Sequence, residues 1–170
     1  MSEIRLFYRE NNRLKISKNI DLLKEIPLEN FVWIDLNDVP EDAETELEQF
    51  LKIYIQEEEE MEEIEISSRY METEDTLVAN SRFLLDNFEE EPISFIVKNH
   101  ILVSVRSQEL RSFNETVKKM FANPRNYPNG FYILVALLET RVEYDADMIE
   151  ELAKEITQLS NRLKTDDDVS

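Results

Sequence analysis

The stretch from Phe131 to about Lys164 contains neither proline nor glycine. Because nothing in it interrupts the backbone hydrogen bonds of a helix, these roughly 34 residues can form one helix on the order of 50 Å long. A helix of this length exceeds what an ordinary compact domain needs. The sequence therefore predicts a helix that continues beyond the domain to which it belongs.

The apolar residues of this stretch change their pattern along its length. At 131–143 they fit an amphipathic helix that packs on the protein's own sheet. Further on their spacing alternates between three and four, which is the heptad seam of a helix that packs against other helices. The seam residues are Ile149, Leu152, Ile156, Leu159 and Leu163, and Leu138, Val142 and Asp145 continue it backwards. We therefore divide the chain into residues 1–130, an α/β domain, and residues 131–170, the long helix.

The segments before the long helix alternate between strand-like and helix-like patterns. The predicted strands are 4–9, 13–17, 31–36, 75–85, 93–97 and 101–105, and the predicted helices start after Pro40 and cover 109–121. Glu10-Asn11-Asn12 and Lys98-Asn99-His100 are typical of hairpin turns. Because strands and helices are interleaved, we expect an α/β fold with helices on the faces of its sheet.

The chain is strongly acidic, with 38 Asp and Glu against 19 Lys and Arg and a net charge of −19. This balance argues against nucleic acid as a direct partner, because phosphate contacts need Lys and Arg. Cations and basic surfaces are the natural counterparts of such a surface, although acidity also serves solubility alone. There is no cysteine and a single histidine, His100, so any metal would have oxygen ligands, which favours Mg²⁺ or Ca²⁺.

The chain contains one glycine, Gly130, in 170 residues. This excludes the glycine-rich phosphate loops and the Gly-x-Ser-x-Gly elbow, and with them most nucleotide-dependent enzymes. The N-terminus lacks the apolar core of a signal peptide, and no apolar run approaches the roughly 20 residues of a membrane-spanning helix. We therefore expect no organic cofactor and a chain that, as it stands, is soluble and cytoplasmic.

Residues 57–66 form an acidic run in which seven of the first nine side chains are glutamates. If the run is helical, its like-charge pairs at i,i+3 and i,i+4 cost about 1–3 kcal/mol at low salt. Salt screening or a bound divalent ion would relieve that cost. The run is therefore suited to cations, while the simpler interpretation is a solvated helix face.

Four short sequence motifs occur along the chain in a recognisable order. They are Trp33-Ile34-Asp35-Leu36 before a proline-started helix, the acidic segment ending Ser67-Ser68-Arg69-Tyr70, the strand pair 91–97 and 101–106, and 137–142 entering the long helix. Through this ordered set, over about residues 3–163, the chain resembles the cytoplasmic N-terminal domain of the CorA family of magnesium transporters.

The resemblance implies an α/β/α sandwich with a mixed central β-sheet, helices on both faces and a long C-terminal stalk helix. Residues 131–170 would be the start of that stalk, and two membrane-spanning helices with a Gly-Met-Asn signature would follow it. The family's homopentameric assembly implies self-association and a transport role without enzymatic activity. The implied function is a regulatory and assembly domain of a transporter for Mg²⁺, and also for Co²⁺, at the cytoplasmic face of the cell membrane.

The resemblance also implies a weak regulatory Mg²⁺ site between neighbouring cytoplasmic domains. One ligand lies about seven residues before the arginine of the motif that ends in Arg69-Tyr70. Counting back from Arg69 gives Glu62, with Glu63 beside it. A secondary acidic contributor near the start of the long helix corresponds to Glu139. The chain departs from the family here, because the first ligand is often Asp and because Met61 stands where a second acid is sometimes found. The main partner ligand would lie beyond residue 170.

Two other functions stay open on the residues alone. The first is a soluble acidic protein-interaction module whose terminal helix pairs with a partner and whose charge serves only solubility. The second is a metal-assisted hydrolase that uses paired carboxylates. Its support is thin, because Ser67-Ser68 has no evident general base beside it and more simply turns the chain.

Overall fold

The computed structural model describes residues 2–57, 68–73 and 76–169 of the chain. Its strands are β1 (Glu3–Glu10), β2 (Arg13–Ser17), β3 (Phe31–Asn37), β4 (Ser68–Thr73), β5 (Thr76–Leu84), β6 (Glu90–Lys98) and β7 (Ile101–Arg106). They form one sheet in the order β2-β1-β3-β7-β6-β5-β4. In it β3 and β7 pair in parallel and the other neighbours pair antiparallel, so the sheet is mixed, as expected.

Helices cover both faces of the sheet, which confirms the sandwich architecture. The helices are α1 (Glu41–Leu51), α2 (Arg111–Ala122) and α3 (Gly130–Val169). On one face α1 packs Leu47 and Leu51 against strand residues such as Ile34 and Val103. On the other face α2 and the first turns of α3 cover a cluster that includes Trp33.

Both predicted hairpins have two-residue turns whose backbone is left-handed. Asn11 and Asn12 have φ values of 54° and 62°, and Asn99 and His100 have φ values of 50° and 66°. Positive φ at both central residues is what a type I′ turn requires, and its twist suits the flanking strands. The interpretation of His100 as an exposed turn residue is therefore confirmed.

The structure differs from the sequence prediction in three places. The spacing of Leu47, Phe50, Leu51 and Tyr54 predicts one apolar helix face. The helix α1 instead ends at Leu51, because Lys52 adopts a left-handed conformation, so Tyr54 lies beyond it and is 60% exposed. The strand β4 had no separate prediction. The apolar spacing of 109–121 predicts a buried helix face that includes Phe113, Met120 and Phe121. In α2 the first two are fully buried, whereas Phe121 is 40% exposed.

The long helix α3 has a packed beginning and an exposed continuation. Ile133, Leu137 and Thr140 are fully buried, which confirms that its first turns pack on the sheet. Its start is fixed at Gly130, whose amide donates to the carbonyl oxygen of His100 at 2.7 Å. A Cβ atom at this position would lie 2.3 Å from the amide nitrogen of Leu102, so only glycine fits the approach of the two backbones.

Candidate functional site

The central parallel strands β3 and β7 are joined by a buried carboxylate. The Asp35 side chain is 1% exposed and accepts hydrogen bonds from Arg106 Nη2 at 2.8 Å, Arg5 Nη2 at 2.8 Å and Ser104 Oγ at 2.8 Å. Burial alone would raise the pKa of Asp35, but the hydrogen bond and charge of Arg106, together with the charge of Arg5, hold it below its ordinary value. This ionised network links β1, β3 and β7 through one carboxylate.

A cavity of about 150 Å³, called the α1 cavity below, lies outside the ends of β3 and β7, on the α1 face of the sheet. Its wall includes Asp38 after β3, Ser107 after β7, Glu44 from α1, and Gln56 with Glu57 from the segment after α1. Crevices at the carboxyl ends of parallel strands are a common place for ligands in open sheets. Asp38 has a φ of 52°, and its amide donates to the carbonyl oxygen of Arg106 at 2.8 Å, which holds this acidic residue at the rim.

Glu44 is the carboxyl that the crowding of this cavity perturbs most clearly. Partial burial, followed by the negative charges of Glu57, Glu48 and Glu41, raises the pKa of Glu44 to about 7. Glu41 and Glu48 stand on the same helix three residues before and four after it, so their repulsion follows from helical spacing. The raised pKa of Glu44 therefore combines its partial burial with repulsion from carboxylates of its own helix and of the segment that follows it.

Carboxylate oxygens are the ligands that Mg²⁺ prefers. Among the described residues, however, no group of three or more His, Cys, Asp or Glu side chains could hold a metal ion. The described carboxyl groups of the α1 cavity, Asp38, Glu44 and Glu57, therefore do not form such a group. Sequence reasoning missed Glu44, because the largest cause of its raised pKa is partial burial, followed by the charge of Glu57, and a local pattern reveals neither. The pattern of Glu41, Glu44 and Glu48 beside buried Leu47 was the available signal.

The predicted metal ligands are not brought together by the described residues. Glu139 is exposed on α3, on the opposite face of the sheet from Glu44, and makes no ion pair with the described part of the chain. Glu62 and Glu63 lie outside the described residues. The assignment of Glu62, Glu63 and Glu139 to one cation site thus stays a prediction.

The continuation of α3 presents the predicted seam to solvent. Val142, Ile149, Ile156 and Leu163 recur every seven residues and are 66%, 61%, 59% and 58% exposed. Leu152 and Leu159 lie between them at 40% and 57%. An apolar stripe of this length without a cover in the described chain is typical of a surface that another helix buries. None of the helices in the described ranges has the length and apolarity to cross a bilayer.

The sequence was compared with known families and proteins. The family model described as "CorA-like Mg2+ transporter protein" matches residues 29–170. The "Magnesium transport protein CorA" of Wolinella succinogenes is 38% identical over 135 residues, which cover 74% of this chain and 42% of that protein. The protein of the same name from Campylobacter jejuni strain RM1221 is 34% identical over 169 residues, which cover 91% of this chain and 51% of that protein. The chain thus spans about half the length of the relatives it matches.

Solved structures share the fold at low sequence identity. The soluble domain of CorA from Methanocaldococcus jannaschii superposes with a TM-score of 0.68 and 18% identity, covering 94% of this chain and 64% of that one. The full-length CmaX protein superposes with a TM-score of 0.67 and 11% identity, covering 94% of this chain and 50% of that one. At such identities the likeness establishes the architecture: a mixed sheet between helical layers with a long C-terminal helix.

Proposed function

The chain belongs to the CorA-like Mg²⁺ transporter family, and we propose that it is the cytoplasmic regulatory and assembly domain of a divalent cation transporter. The match of the family model along residues 29–170 carries this proposal. The transported ion would be Mg²⁺, with Co²⁺ as a second cargo. The complete protein would be integral to the cell membrane, with this domain on the cytoplasmic side.

The proposed regulation is electrostatic. A net charge of −19 makes the acidic surfaces of neighbouring subunits repel one another. Divalent ions that bridge these surfaces favour the closely packed arrangement of subunits, and their loss at low cytosolic Mg²⁺ favours separation and pore opening.

The proposed regulatory ligands are Glu62, Glu63 and Glu139, at the interface between subunits. Glu139 fits this role chemically, because its carboxylate is exposed and has no cationic partner in the described chain. Mg²⁺ keeps several waters and needs only one or two carboxylates from each protein surface. A site of this kind is weak in one subunit and completed by the next, as a sensor requires.

The test measures the melting temperature of the complete, assembled protein as MgCl₂ is added, against NaCl at matched ionic strength. Binding to the folded state stabilises it by about 2.7 kcal/mol at a ligand concentration one hundred times Kd. We expect Mg²⁺ to raise the melting temperature, and Glu62→Ala and Glu139→Ala to reduce that rise. Glu25→Ala, an exposed glutamate elsewhere, is the matched control. An unchanged Mg²⁺ response in Glu62→Ala and Glu139→Ala removes these residues from the mechanism.

We further propose that the exposed seam of α3 is buried against another helix when the protein self-associates into a homopentamer. Light scattering of the purified protein over a range of concentrations, with and without Mg²⁺, tests this. Association that Mg²⁺ strengthens supports the transporter domain. A complete protein that stays monomeric and is indifferent to Mg²⁺ would instead support an acidic interaction module, in which the seam binds an unrelated helix.

A further inference from the structure

The segment that follows α1, residues 52–57, lies against α1 and the strands β5 and β6, and is called the strap below. It begins at Lys52, whose left-handed backbone, with a φ of 56°, ends the helix. The strap forms neither helix nor strand, so its position depends on a small number of side-chain contacts. A segment held in this way opens at a lower free energy than the strands and helices around it.

Four contacts hold the strap closed. The Ile55 side chain is 3% exposed within the apolar cluster on this face of the sheet, and the Ile55 amide donates to Glu48 Oε2 at 3.0 Å. Asn80 Nδ2 of β5 donates to Gln56 Oε1 at 2.6 Å. Lys98 Nζ of β6 donates to the carbonyl oxygen of the first strap residue at 2.7 Å. The contacts thus join the strap to three elements with one apolar side chain and three hydrogen bonds.

The charges at the far end of the strap oppose its closure. The closed strap brings its last residue, Glu57, to the α1 cavity, whose wall also includes Glu44 of α1 and Asp38 after β3. Three carboxyl groups from three separate elements therefore share one wall, and their negative charges repel one another. Because movement of the strap takes Glu57 away from the other two, opening relieves this repulsion. Protonation of one of the carboxyl groups relieves it without opening.

The other described charges around Glu44 do not compensate this repulsion. Glu41 and Glu48, on its own helix, add negative charge. Arg106 is the cation in the described wall of the α1 cavity, but its Nε and Nη2 donate to Asp35 at 3.1 and 2.8 Å. Its Nη1 donates to a backbone carbonyl oxygen at 2.7 Å. The guanidinium is thus already engaged by the buried carboxylate.

The pKa of Glu44 agrees with this arrangement. Partial burial, followed by the charge of Glu57, raises the pKa to about 7. The strap contributes to both causes, because Gln56 and Glu57 form part of the wall beside Glu44. An open strap would leave Glu44 more hydrated and farther from Glu57, and its carboxylate would bind a proton less tightly. The closed strap is therefore favoured below about pH 7 and loses that advantage as the pH rises.

We propose that the strap is a proton-controlled latch, which closes when Glu44 is protonated and opens when Glu44 and Glu57 are both charged. Glu57 is also the first residue of the acidic run 57–66, so the latch decides whether the start of that run is held at α1. The inference concerns the contacts of this chain alone. It stands or fails independently of the proposed transport function.

The experiment is amide hydrogen exchange of the 170-residue chain, measured by NMR between pH 5.5 and 8 and expressed as protection relative to an unfolded chain. The Ile55 amide reports the strap, because its hydrogen bond to Glu48 must break before it exchanges. The amides of Ile34 and Val103, in the paired central strands, report the sheet. We expect the protection of Ile55 to fall about tenfold over this range, after allowance for solvent screening, while the sheet keeps its protection.

Glu44→Gln is uncharged at all these pH values, so its strap should stay closed and its Ile55 protection should be the same at pH 5.5 and pH 8. Glu46→Gln is the matched control. Glu46 stands on the same helix but outside the described wall of the α1 cavity, with its carboxylate 3.7 Å from Lys24 Nζ. This control should retain the tenfold fall.

Equal protection of Ile55 at both ends of the pH range in the parent chain would overturn the proposal, as would an undiminished fall in Glu44→Gln. A parallel loss of protection at Ile34 and Val103 would also overturn it, because the whole sheet and not the strap would then be opening. If Glu44→Gln does not fold, Glu57→Gln, at the exposed end of the strap, provides the same test. Its fall in protection should be smaller than that of the parent chain.

Discussion

Asp35 lies at the centre of β3 with its carboxylate between the guanidinium groups of Arg5 and Arg106. Removing one member of a buried ionic network leaves the other charges uncompensated, which costs about 3–5 kcal/mol. We therefore expect Asp35→Asn to lower the free energy of unfolding by roughly this amount, measured by urea denaturation. Asp21→Asn, at an exposed aspartate, should change it by less than about 0.5 kcal/mol. Equal stability of Asp35→Asn and the parent chain would show that the network is not structural.

The carboxylate of Asp35 also makes the free energy of unfolding depend on pH. Because the pKa of Asp35 is lowered in the folded state, its stabilisation is complete above the unfolded value near 3.9 and is lost as the pH falls through the lower folded value. The difference in unfolding free energy between the parent chain and Asp35→Asn should therefore shrink only on acidification below about pH 4. A difference that shrinks between pH 5 and pH 7 would contradict this assignment.

Glu44 makes folding stability depend on pH in the opposite direction. Its folded pKa of about 7 lies above the ordinary value of 4.5, so the folded state binds the extra proton and stability falls as the pH rises between these values. Because the side chain is only partly buried, solvent screening limits the effect to an order of 1 kcal/mol. Glu44→Gln should flatten this slope and be more stable than the parent chain at pH 8. Glu25→Gln, at an exposed site, should retain the slope, and its loss there would refute the assignment to Glu44.

At the scale of an element, α3 depends on the approach of its first residue to the β6–β7 turn. Gly130→Ala would place a Cβ atom 2.3 Å from Leu102 N and 2.9 Å from His100 O, both backbone atoms that cannot rotate away. We expect a loss of about 1–3 kcal/mol or more in thermal unfolding experiments. Tyr132→Ala, two residues later at 55% exposure, is the control. A fully stable Gly130→Ala protein would mean that α3 shifts without cost.

The elements that local chemistry specifies were predictable from the sequence. Both hairpins were predictable because the residues of the Asn11-Asn12 and Asn99-His100 turns tolerate positive φ. The β-prone run at 31–36 likewise forms β3. The end of α1 was not predictable, because a lysine such as Lys52 does not by itself favour a left-handed backbone. Glu44 was missed for a related reason: burial is the largest cause of its raised pKa, and the cavity beside it is formed with Pro92 and Ser107, which are far along the chain.

At the scale of the whole molecule, the exposed seam of α3 separates folding from assembly. Ile149 and Ile156 are 61% and 59% exposed, so changing both to Glu should leave the melting temperature of the dilute chain nearly unchanged. The same double variant should abolish concentration-dependent association in sedimentation velocity experiments. Glu150→Gln with Glu151→Gln, on the same turns, is the control. Undiminished association of the Ile149→Glu, Ile156→Glu variant would exclude the seam as an interface.

The layered architecture followed from the interleaving of strands and helices, but the arrangement of the sheet did not. The parallel pairing of β3 with β7, which creates the crevice at Asp38 and Ser107, joins strands about 70 residues apart. Sequence patterns specify which face of each strand is buried, and neighbours are chosen only when the whole sheet forms. The position of the α1 cavity therefore could not be predicted from the sequence.

The proportions of α3 give it a mechanical property. Its 40 residues span about 60 Å, while its fully buried side chains, Ile133, Leu137 and Thr140, all belong to its first three turns. The helix is thus a lever with a short clamped root. With about 40 Å of helix beyond the root, a tilt of about 5° at Thr140 would move the far end by about 4 Å. Small changes in how α2 and the β6–β7 turn hold the root would thus be amplified into displacements large enough to make or break contacts at the tip.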